Sequence, residues 1–246
     1  MSFLVIPAID LKGGRCVRLQ QGVASAETVY SDDPVAMARY WQDQGAQCLH
    51  VVDLDGAFQG QPVHADTVRA VVRALSIPVE IGGGLRTDAH LDAMVQAGVA
   101  RVILGTRACE NEEALQRLAE RFGERLAVGI DARQGKVQVK GWTETTGTEA
   151  VDLARRMCRL GVRTLIYTDT ATDGMLKGPN IPGVSALCEA VTCQVVASGG
   201  VASAAHMAAL TALRKPNLIG AIVGKALYDK TVTLAELQQA VARSGC

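Results

Sequence analysis

The chain has no excess of charge of either sign. Its 25 basic side chains are matched by 25 acidic ones, for a net charge of zero and an isoelectric point near 6.9. A nucleic-acid partner needs a basic face, so this balance argues against one; a local basic spot for a small phosphate remains open. No uncharged apolar run approaches the roughly 18 residues of a membrane span. The opening MSFLVIPAID has no basic region followed by a long apolar one, so no secretory leader is expected. The CxxC motif is missing as well. The seven cysteines (Cys16, Cys48, Cys109, Cys158, Cys188, Cys193 and Cys246) are scattered, mostly in apolar segments. That usage predicts reduced thiols in the cytoplasm rather than a disulfide framework. No Cys or His pair has zinc-ligand spacing, and neither a P-loop nor a GxGxxG occurs, so neither a metal nor a nucleotide cofactor is signalled. No linker or low-complexity tract divides the chain, which predicts one domain over 1–246.

What is present is alternation. Short, nearly all-apolar runs at 3–9, 47–53, 78–82, 101–104, 126–131, 164–168, 194–198 and 218–223 read as strands buried on both faces. Helical patterns fill the gaps between them. In DPVAMARYWQDQG, Asp33 is placed to cap, Pro34 to open the helix and Gly45 to follow its end. Eight strand–helix units in 246 residues predict a parallel sheet closed into a (β/α)8 TIM barrel, with an open doubly wound sheet as the lesser alternative. Two connections, 11–30 and 132–147, are longer than the rest. Each carries a short alternating stretch (GGRCVRLQ and QGKVQVKGW) that suggests a small hairpin on the strand C-terminal face, where barrel chemistry gathers.

The two halves of the chain repeat each other. LVIPAID and RLAVGID are apolar runs ending in Asp10 and Asp131. Gly83-Gly84 corresponds to Gly199-Gly200, and Gly105-Thr106 to Gly224-Lys225. Each pair is separated by about half the chain, which predicts half-barrels of about 1–122 and 123–246. Paired glycines after strands let the backbone approach a ligand and turn its N–H groups towards it, as a phosphate cradle requires. Arg86, close behind the first pair, joins them as a candidate. Two such rims on opposite sides of a barrel mouth call for a small molecule with a phosphate at each end. Asp10 and Asp131 cap facing strands, and carboxylates meeting in one pocket fit general acid–base chemistry, provided their environments differ. The bland alternative is a salt bridge to a nearby basic residue. After strand six, Thr168 is a candidate hydrogen-bonding group. Asp173 is a candidate acid, although it lies in a loop where carboxylates are usually solvated. The histidines are less promising: His90 and His206 are repeat equivalents within helical patterns, His50 lies inside a strand and His64 opens a helix.

In order along the chain, PAIDLKGGRCVRL, HVVDLDGA, IGGGLR, GIDARQGKVQVKGW, YTDTATDGM and ASGGV closely resemble the phosphoribosylformimino-aminoimidazole-carboxamide ribotide (ProFAR) isomerase family of histidine biosynthesis. The resemblance covers essentially the whole chain. It implies a duplicated half-barrel, a bisphosphate substrate, no cofactor and an Amadori rearrangement of an aminoaldose to an aminoketose. By motif match it implies that Asp10 is the base and Asp131 the acid, with Asp173 as a competing acid. Trp142 matches an aromatic that stacks on substrate; a loop-packing anchor is the other reading. Two relatives are the cyclase subunit of imidazole glycerol phosphate synthase and the bifunctional isomerase that also serves tryptophan biosynthesis. The first typically reads PCLD where this chain has PAID, and it lacks the KGW loop. A non-catalytic sugar-phosphate sensor would not need facing carboxylates. The expected protein is a cytoplasmic monomer.

Overall fold

A computed structural model describes residues 3–20, 23–139 and 141–245. In chain order the strands are β1 (Leu4–Lys12), β2 (Arg15–Gln20), β3 (Val23–Ser31), β4 (Leu49–Asp53), β5 (Val79–Gly82), β6 (Arg101–Leu104), β7 (Leu126–Arg133), β8 (Lys136–Val139), β9 (Glu144–Glu149), β10 (Thr164–Asp169), β11 (Gln194–Ser198) and β12 (Leu218–Val223). The helices are α1 (Pro34–Asp43), α2 (Leu54–Gln59), α3 (Ala65–Ala74), α4 (Asp88–Gln96), α5 (Glu112–Phe122), α6 (Ala150–Arg159), α7 (Ile181–Ala190), α8 (Ala204–Thr211), α9 (Lys225–Tyr228) and α10 (Leu234–Arg243).

Eight parallel strands, β1, β4, β5, β6, β7, β10, β11 and β12, pair in that order, and β12 returns to β1 to close the barrel. The open-sheet alternative is thereby excluded. Both long connections form the expected antiparallel structure: β1 continues past the barrel rim into β2 and β3, and β7 into β8 and β9. Gln21 and Gly22 of the first connection and Lys140 of the second lie outside the described residues, as does Cys246.

The longer helices form because they offer an apolar stripe to the sheet. In α6, Ala150, Leu153, Ala154 and Met157 are buried, a spacing of one helical face. Asp33 caps α1 by accepting from the Ala36 amide at 2.9 Å, with Pro34 in the first turn. The principal core lies between helices and sheet, and includes Leu49, Leu126, Leu153 and Val195, all fully buried. Each such side chain contributes about 1.5–3 kcal/mol relative to exposure. A second cluster fills the barrel interior: Ile6, Ala8, Cys48, Ile103, Ala127, Ile166, Val196 and Ile222.

Alternation along the strands then decides what reaches the mouth. On β1, Ile6 and Ala8 point inward, so Asp10 does too. On β7, Ala127 points inward, which carries Asp131 to the mouth, level with inward Thr168 on β10. Among the described residues, the interior departs from the expected apolar run where His50, Glu80 and Arg101 occupy adjacent inward positions of β4, β5 and β6, and where Thr164 of β10 donates to Gln194 Oε1 of β11 at 3.2 Å.

Candidate active site

A cavity of about 310 Å³ opens at the C-terminal mouth of the barrel. It is bordered by every site residue named from the sequence: Asp10, Gly83, Gly84, Arg86, Gly105, Thr106, Asp131, Trp142, Thr168, Asp173, Gly199, Gly200, Gly224 and Lys225.

Asp10 is paired. Arg18, carried back over the mouth by β2, donates from Nη1 to Asp10 Oδ2 at 2.9 Å and also bonds the Ala8 carbonyl. The guanidinium lies 5.3 Å from the centre of the Tyr228 ring, and the Tyr228 hydroxyl donates to the same carbonyl at 3.0 Å. Burial opposes the Arg18 charge, but Asp10, Tyr228 and Asp173 outweigh it and the net shift is upward. Sequence reasoning weighed an Asp10 salt bridge as an alternative to catalysis. The structure contains that bridge, and it lies inside the cavity.

The other two carboxylates sit in different surroundings. Burial pushes Asp131 up, opposed by hydrogen bonding from Trp142 and Thr168 and by His50. Burial pushes Asp173 up to about 6; Asp10 and Asp131 add to this, and Arg18 opposes it. Asp173 is therefore not a solvated loop carboxylate, as its sequence position suggested. The turn after β10 folds it in: Asp169 accepts from the Ala171 amide at 2.9 Å and from Asn180 Nδ2 at 2.6 Å, and the Asp173 amide bonds the Asp169 carbonyl at 3.0 Å. Trp142, at φ 70, holds a left-handed conformation unusual for a non-glycine residue, in the turn between β8 and β9.

The two glycine rims share one conformation. Gly83 has φ 101 and Gly199 has φ 95. Each is compressed by a backbone carbonyl: a Cβ on Gly83 would lie 2.1 Å from the Asp53 oxygen, and one on Gly199 2.8 Å from the Asp169 oxygen. These two glycines are thus demanded by packing, whatever ligand lies above them. Gly105 differs, since a Cβ there would meet nothing within 4 Å. A Cβ on Gly224 would strike the Arg18 guanidinium at 2.4 Å. The histidine pair behaves alike in both halves: His90 Nδ1 accepts from the Arg86 amide at 3.4 Å, and His206 Nδ1 accepts from the Ala202 amide at 3.2 Å.

Rim cations are held by carboxylates. Lys225 pairs with Asp229, which also accepts from Tyr30 at 2.5 Å. Arg107, which the sequence reading passed over, pairs with Asp88 and has a buried Nη1 without a partner among the described residues. Four further residues stand on the cavity wall: Arg18, Arg107 and Phe58, which the sequence did not single out, and His50, set aside there as lying inside a strand. His50, less promising from the sequence because it does not end a strand, borders the cavity. The signal was the strand parity set by Asp10, since His50 pairs with inward Ala8. The same parity turns Asp53 outward, where it accepts from the Gly56 and Val63 amides at 2.7 Å and the His64 amide at 2.8 Å. Phe58, 47% exposed on α2, stands beside Gly141 at the rim. No group of metal-binding character and no helix long and apolar enough to cross a membrane occurs among the described residues.

Residues 4–233 match the family described as histidine biosynthesis protein. Similar proteins include one from Acaryochloris marina, 52% identical over 96% of this chain and 92% of its own length, and one from Geobacter sulfurreducens, 48% identical over 98% and 99%. A third, from Opitutus terrae, is 51% identical over 98% of this chain and 99% of its own length. All three bear the name 1-(5-phosphoribosyl)-5-((5-phosphoribosylamino)methylideneamino) imidazole-4-carboxamide isomerase.

Proposed function

The chain belongs to the histidine biosynthesis protein family, and from that premise we propose that it is the isomerase converting the aminoaldose ProFAR to the aminoketose PRFAR. The observation that carries this reading is the placement of Asp10, Asp131 and Asp173 in one cavity between two glycine rims. A molecule with a phosphate at each end spans the rims and lays its reacting ribose over the carboxylates. Gly84 and Gly105 with Thr106, Arg86 and Arg107 serve one phosphate; Gly200 and Gly224 with Lys225 serve the other. The repeated rims support a doubled half-barrel within one domain.

An acid first protonates the ribose ring oxygen. The C1–O bond breaks as the amine lone pair forms C1=N, and this cation acidifies the C2 hydrogen. A base removes that hydrogen, its bonding pair becomes C1=C2, and the C1=N pair returns to nitrogen. The enolamine then loses its hydroxyl proton and gains one at C1, giving the ketose. Asp10 is the base. For the acid, the surroundings favour Asp173 over Asp131. Hydrogen bonds to Asp131 support its charged form, whereas Asp173 is pushed to about 6, near the operating pH that suits proton transfer. Trp142 covers the substrate. The chemistry calls for no metal or redox cofactor, and we place the protein in the cytoplasm as a monomer without nucleic-acid or membrane partners.

The test is direct. Purified protein is expected to change the absorbance of ProFAR without ammonia or a glutaminase. Activity only on PRFAR with ammonia would make it a cyclase instead, and turnover of phosphoribosyl anthranilate would add a second substrate. Silence in all three assays would leave a sugar-phosphate sensor.

A further inference from the structure

Below the three carboxylates, the barrel interior contains a chain of polar, titratable groups that the mechanism above does not use. His50, Glu80 and Arg101 are direct neighbours across β4–β5 and β5–β6. His50 Nδ1 lies 2.7 Å from Glu80 Oε1, and Arg101 Nη1 donates to Glu80 Oε2 at 3.0 Å. Glu80 is 1% exposed. Burial pushes its carboxyl up, but the hydrogen bonds from His50 and Arg101, together with the Arg101 charge, prevail and hold it below the usual range.

An ionised carboxylate only accepts hydrogen bonds. Nδ1 of His50 must therefore carry a proton. Arg101 already balances the Glu80 charge, so the ring is not required as its counter-ion. The remaining ring nitrogen, Nε2, has no hydrogen-bond partner among the described residues, and His50 borders the cavity. It lies one layer beneath Asp10, because His50 pairs with Ala8 whereas Asp10 pairs with Val52. The equivalent inward positions of the other half are Ile166 and Val196, both apolar. The pocket is thus two-sided in its carboxylates and one-sided in this array.

We propose that His50 presents Nε2 as a hydrogen-bond acceptor to a hydroxyl of the reacting sugar, and that Glu80 and Arg101 are positioning residues that fix its tautomer. The arrangement follows the logic of a carboxylate orienting a catalytic imidazole. Being one-sided, it also tells the two ends of a two-phosphate ligand apart. The proposal deepens the isomerase reading and rests on it.

Nitrogen-detected NMR of the histidine-labelled free protein at neutral pH is expected to show His50 protonated at Nδ1 and bare at Nε2. A proton on Nε2 overturns the proposal. This measurement needs no turnover, so it stands apart from the absorbance assay on which the isomerase reading depends. Glu80→Gln can turn either its oxygen or its nitrogen to the ring, so the tautomer should become mixed. With ProFAR as substrate, kcat is expected to fall at least about tenfold while KM changes less than about threefold. If the lone Arg101 charge prevents folding, Glu80→Gln combined with Arg101→Gln removes it and should show the same loss. A variant with lowered Tm but a kcat within about twofold of the parent would make the array purely structural and overturn the proposal.

Discussion

Asp173 is held against its own charge. Its carboxyl titrates at about 6 when folded, against an ordinary 3.8, so the folded protein binds a proton that the unfolded chain has already released. The sign follows: the favourable contribution is complete below the unfolded value and is lost as pH rises through about 6. Asp173→Asn should therefore raise Tm at neutral pH, by roughly 2–4 °C for each kcal/mol relieved, with little change near pH 4. The same variant should lower kcat on ProFAR at least about a hundredfold. Thermal melts at the two pH values check the first expectation and steady-state kinetics the second; a melt unchanged at neutral pH would sink the buried-charge account. Gly224 offers a second test. Its missing side chain makes room for the guanidinium that partners Asp10. Gly224→Ala should displace Arg18, cost about 1–3 kcal/mol in denaturant titrations and reduce kcat/KM. These residue-level facts were only partly legible beforehand. Asp10 and Asp131 could be read because each ends an apolar run. Arg18 could not, because its pairing with Asp10 depends on where the first hairpin folds back.

At the scale of elements, the connections after β4 and β10 do comparable work with different means. Asp53 gathers three backbone amides and caps α2, while Asp169 ties the turn that delivers Asp173 and binds Asn180 at the start of α7. Helix α2 was not foreseen. LDGAFQ is only six residues long and contains a glycine, too short for a helical period to show. It is capped by a buried carboxylate that accepts from the Gly56 amide in its first turn. Asp53→Ala should therefore cost at least about 2 kcal/mol in urea unfolding, since buried amides lose their acceptor. It should also raise KM, because the Asp53 carbonyl seats Gly83. A loss of stability with unchanged KM would separate this loop from the rim it supports.

For the whole molecule, the decisive quantity is the span between two glycine rims across a closed barrel. One ligand filling both rims gains from the second contact without a second association step. PRFAR should therefore raise Tm well beyond ribose 5-phosphate at the same total phosphate concentration, a shift that grows with the logarithm of ligand concentration. Equal shifts would mean that only one rim is used.

Neighbouring residues along the chain specify the alternation of eight strand–helix units, the size of the barrel and the carboxylates Asp10 and Asp131 that end two of its strands. Local periodicity and capping are written in neighbouring residues, and repetition exposes itself by comparison along the chain. The tertiary structure alone decided which charges face one another. Arg18 meets Asp10 because a hairpin folds back, Asp173 is turned to the cavity because Asp169 ties its loop inward, and His50, Glu80 and Arg101 meet because three strands lie side by side. Electrostatic partnership depends on distance through space, and the register of strands far apart in the chain sets that distance.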